Sequence, residues 1–265
     1  DMAQGKPLEH VAGIAFRTDD GAVVVNPARA EYPGLDEYPT PAWDLYDLAP
    51  YKRRVPVEAV RGCPFTCPFC FKAVCRKIRY KSPGRILDEV EEIRRQYGAC
   101  LFGFTSSGTF PLNKEHGLAV CNGIIERGLR LQWATAARID RLDEELLRAM
   151  KASGCCYMNL GVESGDPDVL ARCQKGITVE QVERIVKLCH KFGIETDLNF
   201  ILGLPGETRQ SLKRTRRFAA QLRPYSTLAN FALLTPFPGT KVYAMALRHE
   251  AGYSLGSRDW RLYTK

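Results

Sequence analysis

Two apolar stretches open the chain, Val11-Ala-Gly-Ile-Ala-Phe16 and Ala22-Val-Val-Val25, and they flank Asp19-Asp20-Gly21. Apolar runs on either side of such a turn signal predict a hairpin. A proline-rich connector follows, from Tyr32-Pro33-Gly34 through Tyr38-Pro39-Thr40-Pro41 to Pro50. Beyond it the pattern changes. Short apolar runs at 57–60, 100–104, 131–134, 157–160, 197–202 and 227–234 predict strands. Between them, 83–97 carries Ile86, Val90 and Ile93 at helical spacing, and 114–127, 142–152, 178–192 and 207–222 also read as helices. Ser82-Pro83 and Thr178 are start signals, and Gly128, Ser153-Gly154 and Gly193 are stops. Strand and helix in alternation predict an α/β fold of parallel strands joined by crossover helices.

An open doubly wound sheet and a partly or fully closed barrel both fit this order. The residues just past the strands are Gly62-Cys63, Ser106-Ser107-Gly108, Arg138, Gly161-Val-Glu163-Ser164, Gly203-Leu-Pro-Gly206 and Pro236-Phe-Pro-Gly239. Polar, Gly or Pro residues follow every strand end, as though all the loops line one mouth. Barrels build their sites from many strand ends, whereas open sheets bind at a single switch point. The favoured reading is therefore a partial (β/α)6 TIM-like barrel over 57–247, preceded by a lead-in segment at 1–56 and followed by a C-terminal extension at 248–265.

Composition narrows the class. Of 265 residues, 45% are apolar and 26% charged, which excludes a disordered chain, a collagen-like repeat and a polytopic membrane protein. The uncharged run 224–240 is interrupted by Pro236 and Pro238, so no spanning helix is expected. Asp1-Met2-Ala3-Gln4-Gly5 is not a basic-then-apolar leader, and a cytoplasmic location is expected. The net charge of +8 gathers in two groups: Lys72, Arg76, Lys77, Arg79 and Lys81, then Arg209, Lys213, Arg214, Arg216 and Arg217. Such runs are usually solvated faces. The first lies near the expected mouth, where it would attract an anionic small-molecule substrate or a flavodoxin-type electron donor. The sequence has no interleaved basic and aromatic stripe, which disfavours a nucleic-acid partner.

Ten cysteines carry the chemistry. Three form Cys63-Pro-Phe-Thr-Cys67-Pro-Phe-Cys70, and the other seven are scattered in mostly apolar surroundings, as small buried side chains. A structural zinc site takes four ligands, usually in two close pairs. Here no fourth Cys or His sits at a matching distance, and Cys75 is the nearest. Three thiolates at this spacing instead suit a [4Fe–4S] cluster with one iron left open to bind a ligand and pass it an electron.

At these residues the sequence resembles the radical S-adenosylmethionine (SAM) superfamily. The resemblance runs from about Val57 to Leu247, and the Cys63/Cys67/Cys70 loop, with aromatic Phe69 before its third cysteine, is its most specific part. It implies that the open iron chelates SAM and that the reduced cluster cleaves it to a 5′-deoxyadenosyl radical. By the same resemblance, Phe69 belongs to the SAM site. The turn Ser106-Ser107-Gly108-Thr109 lacks the usual Gly-Gly-Glu, so Ser107 and Gly108 would receive the SAM amino group through backbone. Arg138 and Glu163 match positions that contact SAM. Lys175, in Gln174-Lys-Gly176, matches the cation that pairs with its carboxylate, and Asn199 matches the residue that reaches the ribose hydroxyls. Each also has a structural reading: a salt bridge for Arg138, a helix cap for Lys175, backbone pairing for Asn199.

Pro39-Thr-Pro41-Ala-Trp43-Asp-Leu, Gly161-Val-Glu-Ser-Gly165, Gly203-Leu-Pro-Gly-Glu207 and Thr235-Pro-Phe-Pro-Gly-Thr240 resemble the branch that carries a cobalamin-binding domain before the barrel. Residues 1–56 resemble the end of that domain and its join. The resemblance implies cobalamin-dependent methylation of an unactivated centre by a longer protein, with cobalamin not bound by this chain alone. The alternatives are a cobalamin-independent radical SAM enzyme, of cyclase or RNA-modifying methylthiotransferase type, and a basic nucleic-acid-binding module.

Overall fold

The structure, a computed structural model, describes residues 5–29, 33–51, 54–71, 77–99, 101–106, 109–257, 259 and 261. The predicted hairpin is present but short: β1 (Ala15–Arg17) pairs antiparallel with β2 (Val23–Val25). Val11 is not in it. That residue is buried in the preceding turn, which Asn26 ties down by donating from Nδ2 to the carbonyls of Leu8 and Val11 at 2.6 and 2.8 Å. Short 3₁₀ turns fill the proline-rich stretch.

The main body runs β3 (Arg54–Arg61), β4 (Arg79–Tyr80), α1 (Pro83–Tyr97), β5 (Leu101–Ser106), α2 (Lys114–Glu126), β6 (Gln132–Ala137), α3 (Glu144–Ala152) and β7 (Cys155–Glu163). Then follow α4 (Pro167–Arg172), α5 (Val179–Lys191), β8 (Glu195–Leu202), α6 (Arg209–Leu222), β9 (Leu228–Leu233) and α7 (Lys241–Leu247). The seven-stranded sheet has the order β4-β3-β5-β6-β7-β8-β9, with six parallel strands in chain order and the short β4 antiparallel at one edge. The order never reverses, so there is no doubly wound switch point, and crossovers of one hand place the helices on one face. Among the described residues no ladder joins β9 back to β3 or β4, so the barrel is partial. The two-residue β4 and the single-turn-and-a-half α4 are too short for periodicity to reveal.

Alternation along the strands divides the two faces. Val55, Val57, Phe102, Phe104, Met158 and Leu160 are buried under the helices, against Ile86, Val90, Val120, Leu147 and Ile185. The opposite, concave face carries Pro56, Gly103, Ala134, Tyr157 and Asn159. Side-chain caps start the helices, at Ser82 and Thr178 as the sequence predicts: Ser82, Asn113, Asp143, Thr178, Thr208 and Thr240 each accept from the N–H three residues on.

Of the scattered cysteines, Cys121, Cys155, Cys173 and Cys189 are buried and Cys156 is half-buried, while Cys75 and Cys100 lie outside the described residues. Burial pushes the Cys121 thiol up to about 11 and that of Cys189 to about 12. Near neutral pH these thiols are protonated and poor nucleophiles. Alkylation of cluster-free protein with iodoacetamide at pH 8, mapped by mass spectrometry, should therefore leave Cys121, Cys155 and Cys189 unmodified and label exposed Cys70.

One turn depends on glycine. Gly154 links α3 to β7 with φ at +98°, and a Cβ there would lie 2.1 Å from the Leu131 carbonyl oxygen. Gly154→Ala should cost about 3 kcal/mol, from the left-handed backbone plus displaced neighbours. Urea unfolding should show it as a lower midpoint at unchanged slope.

Candidate functional site

The cysteine loop leaves β3 at Gly62, whose φ of +99° turns the chain across the carboxyl ends of the strands. Cys63 is half-buried, Cys67 buried and Cys70 exposed, and all three are thiols. A turn joins the last two, with the Cys70 N–H donating to the Cys67 carbonyl at 3.2 Å. The loop is pinned from several sides. The Val242 N–H, in the first turn of α7, donates to the Pro68 carbonyl at 3.1 Å. Thr66 donates to Gln174 Oε1 at 3.0 Å. Phe69 packs on Val169, Cys173 and Leu204, between α4 and the loop after β8.

This donor set fits the cluster. Soft thiolates select iron–sulfur centres, and each thiolate of a four-iron cube binds a different iron. The three thiols therefore need not meet at one point. Among the described residues, no three His, Cys, Asp or Glu side chains converge on a single ion.

Beside the loop, Glu163 and Lys175 form a buried ion pair, Nζ to Oε1 at 2.6 Å, each residue 6% exposed. The β7–β8 register slips between Gly161 and Glu163, and Glu163 takes a φ of +68°. A left-handed non-glycine residue costs about 1–2 kcal/mol and persists where its surroundings over-determine it. Here the ion pair does so. A Cβ on Gly161 would lie 2.6 Å from Glu163 Oε1 and 2.7 Å from Lys175 Nζ, so a side chain there would push the ends of the pair aside. Lys175 comes from the loop after α4, a helix that the sequence pattern does not predict.

Arg138 leaves β6 with Nε 2.8 Å from Asp140 Oδ1, Nη1 3.8 Å from Cys67 Sγ, and Nη2 donating to the Lys175 carbonyl. Its guanidinium lies 3.5 Å over the Phe65 ring, and the Arg138 backbone N–H donates to Thr109 Oγ1 at 3.0 Å. One side chain thus joins the cysteine loop, β6 and the Lys175 loop. Ser107 and Gly108 lie outside the described residues.

Asn199 sits within β8 rather than at its end, and it pairs with side chains rather than backbone. Its Nδ2 reaches Asn159 Oδ1 at 3.5 Å, and it accepts from Asn230 Nδ2 at 3.3 Å. The Tyr157 hydroxyl, one step down the same face, donates to Asp197 Oδ2 at 2.7 Å. Burial first, and then that carboxylate, push the phenol up to about 12, so it stays protonated and donating. Sequence reasoning missed this polar ladder, although the alternation Tyr157, Asn159, Gly161, Glu163 signals it. It borders a cavity of about 650 Å³ whose floor is Pro56, Gly103 and Ala134.

Among the described residues of the first basic group, only Lys81 departs from the expected solvated face, and Lys77 is exposed. Lys81 is buried and paired with Glu89, while Lys72 and Arg76 lie outside the described residues. On α6, Arg214 pairs with Asp166, and Arg209, Lys213 and Arg217 remain on an exposed face.

A family model described as the Radical SAM superfamily matches residues 57–219. An uncharacterized methyltransferase of Pyrococcus horikoshii is 33% identical over 99% of this chain and 57% of its own length. An anaerobic magnesium-protoporphyrin IX monomethyl ester cyclase of Rubrivivax gelatinosus is 31% identical over 88% of this chain and 43% of its own. The chain thus spans about half the length of these curated relatives. The structure of the radical SAM methyltransferase TsrM from Kitasatospora setae, with cobalamin and a [4Fe–4S] cluster bound, superposes with a TM-score of 0.76. It is 24% identical, over 91% of this chain and 49% of that one, and so bears on fold.

The Glu163–Lys175 pair makes a testable demand. Lys175→Met or Glu163→Gln alone should each destabilise the cluster-free protein by about 3 kcal/mol, because each strands a buried polar or charged partner. The double variant should recover most of that loss in urea unfolding, and additive losses would show that the pair is not coupled.

Proposed function

The chain belongs to the radical SAM superfamily, and from that premise we propose that it is the SAM-cleaving barrel of a cobalamin-dependent methyltransferase acting on an unactivated centre of a small molecule. One observation carries the reading: the three-thiol loop is pinned over the carboxyl ends of the strands, one guanidinium away from the Glu163–Lys175 pair. When bound there, the cluster supplies the electron that cleaves SAM to a 5′-deoxyadenosyl radical.

The chain's own residues hold and orient. Cys63, Cys67 and Cys70 bind the cluster. Lys175 faces the SAM carboxylate, its charge held in place by Glu163 until the ligand arrives. The Asn199 amide meets the ribose hydroxyls, Phe69 walls the site, and the backbone of Ser107 and Gly108 receives the amino group. The substrate occupies the concave cavity. Gly103 and Ala134 leave its floor nearly bare of side chains, and Tyr157 and Asn159 offer hydrogen bonds at its edge.

Three points support the wider assignment. The lead-in resembles a join to a cobalamin-binding domain. A relative carries a methyltransferase name. The superposable TsrM structure holds cobalamin. Between 5 and 51 the described residues form only a hairpin and 3₁₀ turns, so cobalamin is assigned to the longer protein rather than to this chain alone. The exposed basic face of α6 suits an acidic flavodoxin-type donor. Among the described residues no helix is long and apolar enough to cross a membrane, and we assign the enzyme to the cytoplasm. The cyclase relative favours a second reading, oxidative ring closure by the same radical.

Anaerobic reconstitution should load roughly four irons per chain, and a variant with all three loop cysteines changed to Ala nearly none. With excess dithionite the loaded chain should convert SAM slowly to 5′-deoxyadenosine, and zinc in place of iron would sink the assignment. In the longer protein, isotope from the SAM methyl group should appear in product only when cobalamin is present. Turnover without cobalamin would remove the methylase reading and leave the cyclase type.

A further inference from the structure

Arg138 is 6% exposed, and a buried guanidinium needs its charge and its donors met. A guanidinium presents five N–H groups in a rigid fork, accepts nothing and stays charged. Here each of its three nitrogens is already committed within the protein: Nε to Asp140, Nη2 to the Lys175 carbonyl and Nη1 to Cys67 Sγ at 3.8 Å. Its Cζ lies 3.5 Å from the centroid of the Phe65 ring, two residues before Cys67 in the same loop. Asp140 and Phe65 therefore hold the fork so that Nη1 faces the sulfur. A neutral thiol is a weak acceptor, whereas a metal-bound thiolate is a strong one, so this contact gains most once iron is present.

We propose that Arg138 is a positioning residue for the cluster, raising its reduction potential through Cys67, and not a SAM ligand. The proposal rests on the radical SAM reading. One-electron reduction of the cluster adds negative charge that spreads onto its thiolates. An N–H···S bond and a fixed positive charge stabilise that state, and hydrogen bonds to sulfur and local charge are the levers that set cluster potentials. Asp140 offsets part of the charge, but it does not remove the directed donor.

The test is a redox titration with dithionite, read by electron paramagnetic resonance, on the reconstituted chain and its Arg138→Gln and Arg138→Lys variants. At a potential where little cluster is reduced, Arg138→Gln should lower the reduced-to-oxidised ratio about tenfold, a midpoint shift of about 59 mV downward for one electron. Arg138→Lys keeps the charge without the fork and should fall between. Iron content should be unchanged, and SAM affinity is measured alongside by calorimetry on the oxidised cluster. Unchanged midpoints with weakened SAM binding would overturn the proposal and make Arg138 a SAM ligand. Unchanged midpoints with unchanged SAM binding would make it purely structural and overturn the proposal equally. Should Arg138→Gln fail to load iron, Phe65→Leu removes the stacking platform while keeping the charge. It should shift the midpoint in the same direction by less, and no shift there would count against the proposal. Failure of the unaltered chain to bind iron would instead remove the radical SAM reading itself.

Discussion

Burying a positive charge without a partner costs several kcal/mol, and the mouth of this sheet buries two, Arg138 and Lys175. Much of the local architecture follows from answering them. Lys175 is met by Glu163, which must turn inward from the end of β7, and the register slip and left-handed backbone at that residue achieve the turn. Gly161 leaves the space. Arg138 is met by Asp140, by the Lys175 carbonyl and by Cys67, so one fork ties three loops that arise from distant parts of the chain. The same contacts that satisfy the charges hold the cysteine loop over the strand ends, where a cluster-binding loop must sit to face a ligand.

Winding in one direction produces the other half of the site. With every crossover helix on one face, apolar residues need fill only that face, and Val57, Phe104, Met158 and Leu198 do so. The concave face is released from packing. It carries small residues toward β3, β5 and β6 and a ladder of amides and a phenol toward β7, β8 and β9. A closed barrel of this size would fill its interior with side chains. The partial barrel retains a cavity of about 650 Å³, and the polar ladder runs from its edge toward the strand ends that hold Glu163.

Much of this was legible in the residues alone. Short apolar runs placed the six parallel strands, and helical spacing placed the helices from α1 to α6 other than α4, which are long enough for periodicity to show and are marked by capping residues such as Ser82 and Thr178. The three-cysteine loop was legible too, since its spacing is local. So were Arg138 and Glu163 as candidates, because each follows a strand. What the pattern alone left open was the choice between a doubly wound sheet and a barrel. Both share the same local signals, and they differ only in which strands are neighbours.

Only the tertiary structure decided how the candidates are used. Lys175 approaches from the loop after a six-residue helix too short to leave a periodic trace, and Asn199 works through Asn159 and Asn230 on adjacent strands. Lys81, which read as a surface charge beside the cluster, is buried against Glu89. Phe65, an ordinary aromatic in the sequence, became the platform for Arg138. The physical reason is common to all four. Local sequence determines backbone conformation and which side of an element a residue faces, whereas the partner of a buried charge or amide is supplied by segments dozens of residues away, and those meet only when the sheet assembles.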